Sequence, residues 1–313
     1  MRTADLAAPA EEMPAAVIRG ARVSYPMPWR DRARHWLWYL PALTLVLSVT
    51  LVPMMTAFWI AVHSTHFYDI REFVGLDNFR YLFDRPDFAL WAGNSLIYVT
   101  ATLALALSLG LGSAILLQSA SRGSGLFRTV LLLPWTFSLS VAATFWLWLY
   151  NPSFGLIPLG MKAVGIQPGL MLGNPNLALL LLIISTAWWS FPHAMVILSA
   201  ALQSVPKELY EAVAIDGGSA WHSFRHVTLP HVLPTLCSAG LILGIGYLTL
   251  VTMIIVLTGG GPLGATTTWS FWIFRETASA TNVGPAAVMS IIVLLVNVAM
   301  GVAQVKLTSR AKG

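Results

Sequence analysis

The sequence predicts an all-α membrane protein of six transmembrane helices, with a cytoplasmic helix-turn-helix between the fourth and the fifth. Three observations predict it. Of 313 residues, 57% are hydrophobic and 10% charged, at a mean hydropathy of +0.72; a soluble domain carries about 25% charged residues. No charge occurs from Phe88 to Ser121, Thr129 to Met161, Ala163 to Pro206 or His226 to Phe274, and a span needs about 20 apolar residues. One long polar stretch, Pro206–Pro234, interrupts the second half of the chain.

The elements follow in order. Residues 1–35 are rich in Ala, Pro and Arg and read as a disordered cytoplasmic tail with a basic patch beside the membrane. They do not read as a cleaved signal peptide, because the apolar run from Trp36 is too long for one. Residues 36–305 hold the six spans. Span one is Trp36–Val62, with Trp36, Trp38 and Trp59 near its ends, where amphipathic rings favour the interface. Pro41 and Pro53 fall inside it, which membrane helices tolerate. Residues 63–90 are polar and mixed in charge. Span two is Trp91–Leu117, where Ser108 and Gly110-x-Gly112 permit close helix contact.

Span three is Phe127–Tyr150. Asn151–Asn176 is a Pro- and Gly-rich loop with a short surface helix near Leu159–Val164. Span four is Leu177–Gln203, span five Pro234–Leu257 and span six Pro285–Val305. Thr258-Gly-Gly-Gly-Pro262 opens an outside loop carrying Arg275 and Glu276. Residues 306–313 form a basic cytoplasmic tail with Lys306, Arg310 and Lys312.

Within Pro206–Pro234, Pro206 suits the first turn of a helix, and Lys207–Ile215 follow as that helix. Asp216, Gly217 and Gly218 break it, since Gly takes up positive φ at no steric cost. Ser219 caps a second short helix running to about His226, which Pro230 and Pro234 close. Lys and Arg fix the side. Both tails, the connection with Arg122 and Arg128, and the 206–234 loop together hold thirteen; the other face holds five, namely Arg71, Arg80, Arg85, Lys162 and Arg275. Positive residues stay in the cytoplasm, so both termini and this loop are placed there. The net charge of +5 is thus an orientation signal, and no nucleic-acid partner is read from it. The single cysteine, Cys237, excludes an intrachain disulfide.

Glu211-Ala212, then Gly217, then Val227-x-Leu229-Pro230 resembles the "EAA loop" of ATP-binding-cassette import permeases, whose pattern is Glu-Ala-Ala, three residues, Gly, nine residues, Ile-x-Leu-Pro. The spacing matches throughout; Val213 and Val227 are apolar replacements. Gly75-Leu-Asp-Asn-Phe79 with Tyr81-Leu-Phe83, Gly125-Leu-Phe-Arg128, Leu132-Leu-Pro-Trp135 and Thr258–Pro262 resemble the sugar branch of that family. The resemblance implies that Glu211 pairs with a basic group of an ATPase. Tyr210, Ala214 and Ile215 would fill the ATPase cleft; Ala212 belongs to the same coupling element, with Asp216 and Gly217 at the turn. It implies a permease subunit of a bacterial importer for a sugar, oligosaccharide or polyol. The partners would be a second permease, two ATPase copies and an extracytoplasmic solute-binding protein, in the cytoplasmic membrane with its lipid.

In the maltose-type permease of this family, sugar-contacting positions lie in the two spans flanking the loop. Carried over, they are Trp189, Ser190 and His193 in span four and Leu243, Gly246, Tyr247 and Leu250 in span five. Aromatic faces can stack on a sugar ring while polar tips bond its hydroxyls.

Other constellations lead elsewhere. Gly259-x4-Gly264-Ala265-Thr266 has the outline of a phosphate loop but lacks its Lys and falls on the outside face. ATP and Mg are therefore assigned to a partner ATPase, with no cofactor on this chain. His222 and His226 share a helix face, with His231 nearby, but nothing completes a metal set. No hydrolase motif occurs. A glycerol-phosphate importer of the same family is the alternative; Ala265-Thr-Thr-Thr268 and Phe274-Arg-Glu276 are compatible with it, although a phosphate wants cations and the spans carry none beyond Arg128 at the start of span three. An ion-coupled secondary transporter would need intramembrane carboxylates, which the spans lack. A membrane-embedded enzyme or scaffold would need a catalytic set, and none is found.

Overall fold

The computed structural model describes residues 29–67, 69–119, 124–279 and 282–310. The first 28 residues of the N-terminal tail, Arg122 and Lys312 lie outside them. The chain divides into two units, Met1–Met54 and Met55–Gly313. In the first, the described part is helical, and its side chains are exposed from Trp38 to Pro53.

The second unit is mainly helical around two apolar clusters, a large one along the helix Pro175–Gln203 and a smaller one around Trp91 and Trp272. The elements are α1 (Trp29–Ala61, crossing from the first unit), β1 (His63–His66), β2 (Asp69–Phe73), α2 (Asp77–Phe83), α3 (Phe88–Ser119), α4 (Ser124–Thr136), α5 (Leu139–Leu149), α6 (Leu156–Ala163), α7 (Pro175–Gln203), α8 (Lys207–Ile215), α9 (Ala220–Ser223), α10 (Leu229–Thr249), α11 (Thr252–Leu257), α12 (Trp269–Ser279) and α13 (Gly284–Arg310). Among the described residues five helices are long and apolar enough to cross a membrane, and α4 with α5 makes a sixth if that bent pair counts as one span.

α7 is the axis of the large cluster. Asn174 caps its start by accepting from the N–H of Asn176 and Leu177, as a cap residue should, and Pro175 follows where its missing N–H costs nothing. α3 packs along α7 closely: a Cβ on Gly110 would stand 2.6 Å from that of Ala194. This is the small-residue contact expected of Gly110.

Two spans depart from the sequence expectation, the second of them at both ends. Span three is not one straight helix, because α4 and α5 meet at 97°. Ser138 takes an extended backbone there, and its side chain accepts from Val141 N, starting a new helix in mid-run. Span five breaks as well: Leu250 is extended and α11 begins at Thr252. At its other end Pro230 and Pro234 do not close the preceding short helix. A π-helical turn, Phe224–Thr228, joins α9 to α10, and the wider turn leaves room ahead of a proline ring that would press on the i−4 carbonyl.

Four short elements, β1, β2, α2 and α12, were not read from sequence. β1 and β2 form an antiparallel hairpin pairing Thr65 with Ile70 and His66 with Asp69. α12 lies within what reads as an outside loop.

Candidate functional site

Two places gather the residues singled out above. The first follows α7. Pro206 is extended and α8 runs Lys207–Ile215 with none of its residues buried. Asp216 N and Gly217 N bond back to Ala212 O and Ala214 O at 3.0 and 3.1 Å, and Gly218 N to Val213 O at 2.8 Å. Gly217 has φ +74, the left-handed turn that glycine takes freely. Gly218 is needed for a different reason, since a Cβ there would stand 2.5 Å from Val213 Cγ1. Ser219 then caps α9 through His222 N at 3.3 Å.

This helix-turn-helix exposes apolar surface. Ile215 is 86% and Trp221 66% exposed, and Ala212 and Ala214 are exposed beside them. Glu211 is exposed and enters no ion pair among the described residues. Tyr210, half-buried, holds the element to the bundle, its hydroxyl 3.1 Å from Thr228 Oγ1. The element thus presents an exposed apolar helix face around a carboxylate with no ion pair among the described residues. His222 and His226 stack with ring centroids 4.1 Å apart; stacked rings do not converge on an ion, and among the described residues no group of three metal ligands occurs.

The second place is the middle of the bundle. α7 spans 29 residues, and Trp189 and Ser190 lie at its centre. Ser190 is 1% and Tyr247 3% exposed, with their oxygens 2.5 Å apart across α7 and α10. Tyr98 and Thr186 pair likewise at 3.1 Å, and Tyr150 and Ser185 at 3.2 Å. These hydroxyls satisfy one another, as buried polar groups must.

Trp189 and His193 turn toward the α4–α5 bend. Trp189 Nε1 donates to Phe137 O at 3.1 Å, and the His193 ring meets that of Trp135 at 5.1 Å. Leu243 is buried, Leu250 half-buried at the α10–α11 break, and Gly246 exposed with open space where a Cβ would point. The structure thus brings Ser190 and Tyr247 together and sets Trp189 and His193 at the bend. Gly246 stands apart.

The backbone breaks at Phe137–Ser138 and Leu250–Val251 were missed. Ser138, an N-cap residue in an apolar run four places after Pro134, was the available signal for the first; Leu250-Val251 carries none.

The 258–268 loop with the phosphate-loop outline is closed upon itself. Thr266 Oγ1 donates to Gly261 O at 2.8 Å and Thr267 Oγ1 to Gly260 O at 2.9 Å.

Residues 106–313 match the family described as binding-protein-dependent transport system inner membrane component. The trehalose/maltose transport system permease protein of Thermococcus litoralis is 32% identical over 250 residues, 80% of this chain and 85% of that one. The sn-glycerol-3-phosphate transport system permease protein of Yersinia pseudotuberculosis is 31% identical over 281 residues, 88% and 95% of the two chains. A solved bacterial ABC transporter involved in import of the acidic polysaccharide alginate shares the fold: TM-score 0.77 at 23% identity, over 90% of this chain and 98% of that one.

Proposed function

The chain belongs to the family of binding-protein-dependent transport system inner membrane components, and we propose that it is the permease subunit of an ATP-binding-cassette importer for a carbohydrate. The observation that carries this reading is the helix-turn-helix. Its apolar face and unpaired Glu211 lie exposed at the end of α7, whose centre holds the hydroxyl and aromatic cluster around Ser190 and Tyr247. Docking at one end and polar recognition at mid-depth are the two parts a coupled importer needs.

In this reading a second permease and two ATPase copies complete the assembly, and a solute-binding protein delivers the cargo. ATP and Mg belong to the ATPases. Both termini and α8–α9 face the cytoplasm, in keeping with the excess of Lys and Arg there. Closure of the ATPases moves α8, which Gly217 aims and Tyr210 ties to Thr228; the spans rock from inward-open to outward-open, and hydrolysis resets them. Tyr210, Glu211, Ala212, Ala214, Ile215, Asp216 and Gly217 carry the coupling. Trp189, Ser190, His193, Leu243, Gly246, Tyr247 and Leu250 belong to the substrate path. A glycerol-phosphate cargo is the second reading, favoured by the relative that covers 88% of this chain; the span centres offer such a cargo no cation.

Purification of the tagged chain from native membranes in mild detergent, with mass spectrometry of what accompanies it, tests the proposal. A phosphate-loop ATPase and a second six-span permease are expected, and the binding protein is then titrated with maltose, trehalose and glycerol 3-phosphate. Recovery of this chain alone, even after crosslinking at α8, would overturn it.

A further inference from the structure

We propose that a cavity between the end of α3, the start of α4 and the end of α7, with Arg128 in its wall, is an anion site that takes the phosphate of an acidic phospholipid. That the leaflet it borders is the inner one rests on the importer reading above; the chemistry of the site does not.

Position is the first argument. The cavity, of about 230 Å³, is lined by Gln118 at the end of α3, by Gly125 and Arg128 at the start of α4, and by Ser199 and Gln203 at the end of α7. Three helix ends meet there, and α8 starts at Lys207, just past Gln203. At such a level spans leave the hydrocarbon and meet the headgroups.

The second argument is the donor set. A guanidinium is always charged, and its planar fork matches a phosphate. No carboxylate lines the cavity, and Arg128 enters no ion pair among the described residues. Carbonyls at the end of α7 that could draw the cation are engaged. Ala201 O accepts from Ser204 N at 3.2 Å and from Ser204 Oγ at 2.7 Å. Leu202 O accepts from Val205 N at 3.3 Å and from Gln118 Nε2 at 3.5 Å. Ser199 also differs from the other hydroxyls of α7. Ser185, Thr186 and Ser190 each donate to the carbonyl four residues back, at 2.7, 2.8 and 2.8 Å. Ser199 makes no such bond among the described residues, and the Gln203 amide makes none either. A lone guanidinium beside an unengaged hydroxyl and amide suits a phosphate and repels a cation. The start of α4 adds to this, because a helix N-terminus favours negative charge. A Cβ on Gly125 would meet nothing within 4 Å, so no side chain shields the backbone there.

The third argument is the surface beside the cavity. Leu126, Val130 and Leu133 follow one another down one face of α4, and all three are exposed. Acyl chains would lie along this strip with their phosphate at Arg128; a free phosphate has no use for it. Basic pockets between spans at the inner surface select anionic headgroups. Gly125-Leu-Phe-Arg128 thereby acquires a physical role that neither coupling nor the substrate path gave it.

The test is local thiol protection in the complex as purified from native membranes and placed in proteoliposomes. Cys237→Ser provides the background, and Ser199→Cys puts a thiol in the cavity wall. The neutral, membrane-permeant reagent N-ethylmaleimide is used, and its adduct is followed by mass spectrometry. Vesicles of dioleoyl phosphatidylglycerol are compared with vesicles of dioleoyl phosphatidylcholine, the latter with and without inorganic phosphate. Phosphatidylglycerol is expected to slow the thiol by about fivefold or more relative to phosphatidylcholine, and Arg128→Gln to remove that protection. Tryptophan fluorescence checks that Arg128→Gln is folded, and the comparison of lipids with Arg128 intact stands without it. Equal rates in the two lipids, or protection that survives Arg128→Gln, would overturn the proposal. Protection by inorganic phosphate and not by phosphatidylglycerol would overturn the lipid source and leave a site for free phosphate. Both leaflets of each vesicle carry the same lipid, so the outcome is independent of the orientation. Uptake of maltose, trehalose and glycerol 3-phosphate, measured alongside, judges the importer reading by itself.

Discussion

The two ends of α10 are built on opposite terms. Beyond its C-terminal end, polar side chains are buried and paired. Asn78 donates to Ala61 O and His63 O at 2.9 Å each; Thr65 Oγ1 donates to Asn282 Oδ1 at 3.0 Å and accepts from Val283 N at 2.8 Å. In the neighbouring 258–268 loop Thr266, Thr267 and Thr268 are buried, and Asn94 bridges Gly264 O and Thr267 O at 2.9 and 3.1 Å. At its N-terminal end α8 buries no residue and Glu211 enters no ion pair among the described residues. The difference teaches where this chain is complete in itself and where it is not. A satisfied polar network is costly to disturb; an exposed apolar helix is costly to leave uncovered. One end holds its own shape, and on the proposed reading the other is finished by another protein.

Substitutions at the two ends should therefore move different observables. The largest stability effect is expected from Gly260→Ala. Gly260 has φ +80, and a Cβ there would stand 2.2 Å from Phe271 Cε1. Left-handed backbone and overpacking together cost about 3 kcal/mol, so the detergent-solubilised chain should lose roughly 6–12 °C of Tm by tryptophan fluorescence. An unchanged Tm would mean that the loop yields, and the contrast between the ends would fail.

Glu211→Ala should do the reverse. Glu211 is exposed and enters no ion pair among the described residues, so Tm should hold within about 1 °C. Removing a charge that pairs across an interface costs about 2–5 kcal/mol, so binding-protein-stimulated ATPase and uptake in proteoliposomes should fall at least tenfold. A Tm loss like that of Gly260→Ala would show that Glu211 supports the bundle instead.

Gly217→Ala should be smaller. Its Cβ would meet open space, so the penalty is the left-handed backbone alone, about 1 kcal/mol. About fivefold weaker coupling is expected in the same uptake assay at nearly unchanged Tm. Full activity would show that the turn does not aim α8.

How far the sequence reveals these ends follows the kind of signal each leaves. α7 and α13 were legible because apolar length is a property of the sequence itself. The helix-turn-helix was legible because Pro206, Gly217 and Ser219 act locally, each on its own turn. The β1–β2 hairpin, α12 and the bonds of Asn78 to Ala61 and His63 were not. They depend on partners far apart in the chain, as Thr65 does on Asn282, and no local pattern encodes such a meeting.

The breaks at Phe137–Ser138 and Leu250–Val251 hid for another reason: the residues around them are as apolar as a continuous span. Of the residues expected along the path, Ser190 and Tyr247 meet directly, while Gly246 faces open space. Spacing along a helix gives its periodicity but not which face its neighbours cover.

The smallest effect, and the sharpest comparison, comes from Tyr210→Phe. The Tyr210 hydroxyl reaches the buried Thr228 at 3.1 Å, and it is a tie between an otherwise exposed α8 and the start of α10. Phenylalanine keeps the ring and removes that bond, a loss of about 0.5–1.5 kcal/mol. Bundle stability does not depend on α8, so Tm should barely move, whereas α8 itself should open more often. Amide hydrogen exchange across Lys207–Ile215 should then quicken about two- to tenfold in the isolated chain, with α7 and α13 unchanged. In the assembled complex the cleft that receives α8 would hold it from the other side, and the difference between wild type and variant should shrink. If exchange in α8 were equally fast in wild type and variant, isolated or assembled, the bond to Thr228 would not be what carries motion from α8 into the membrane. Coupling would then have to run through the backbone of the Gly217 turn and α9.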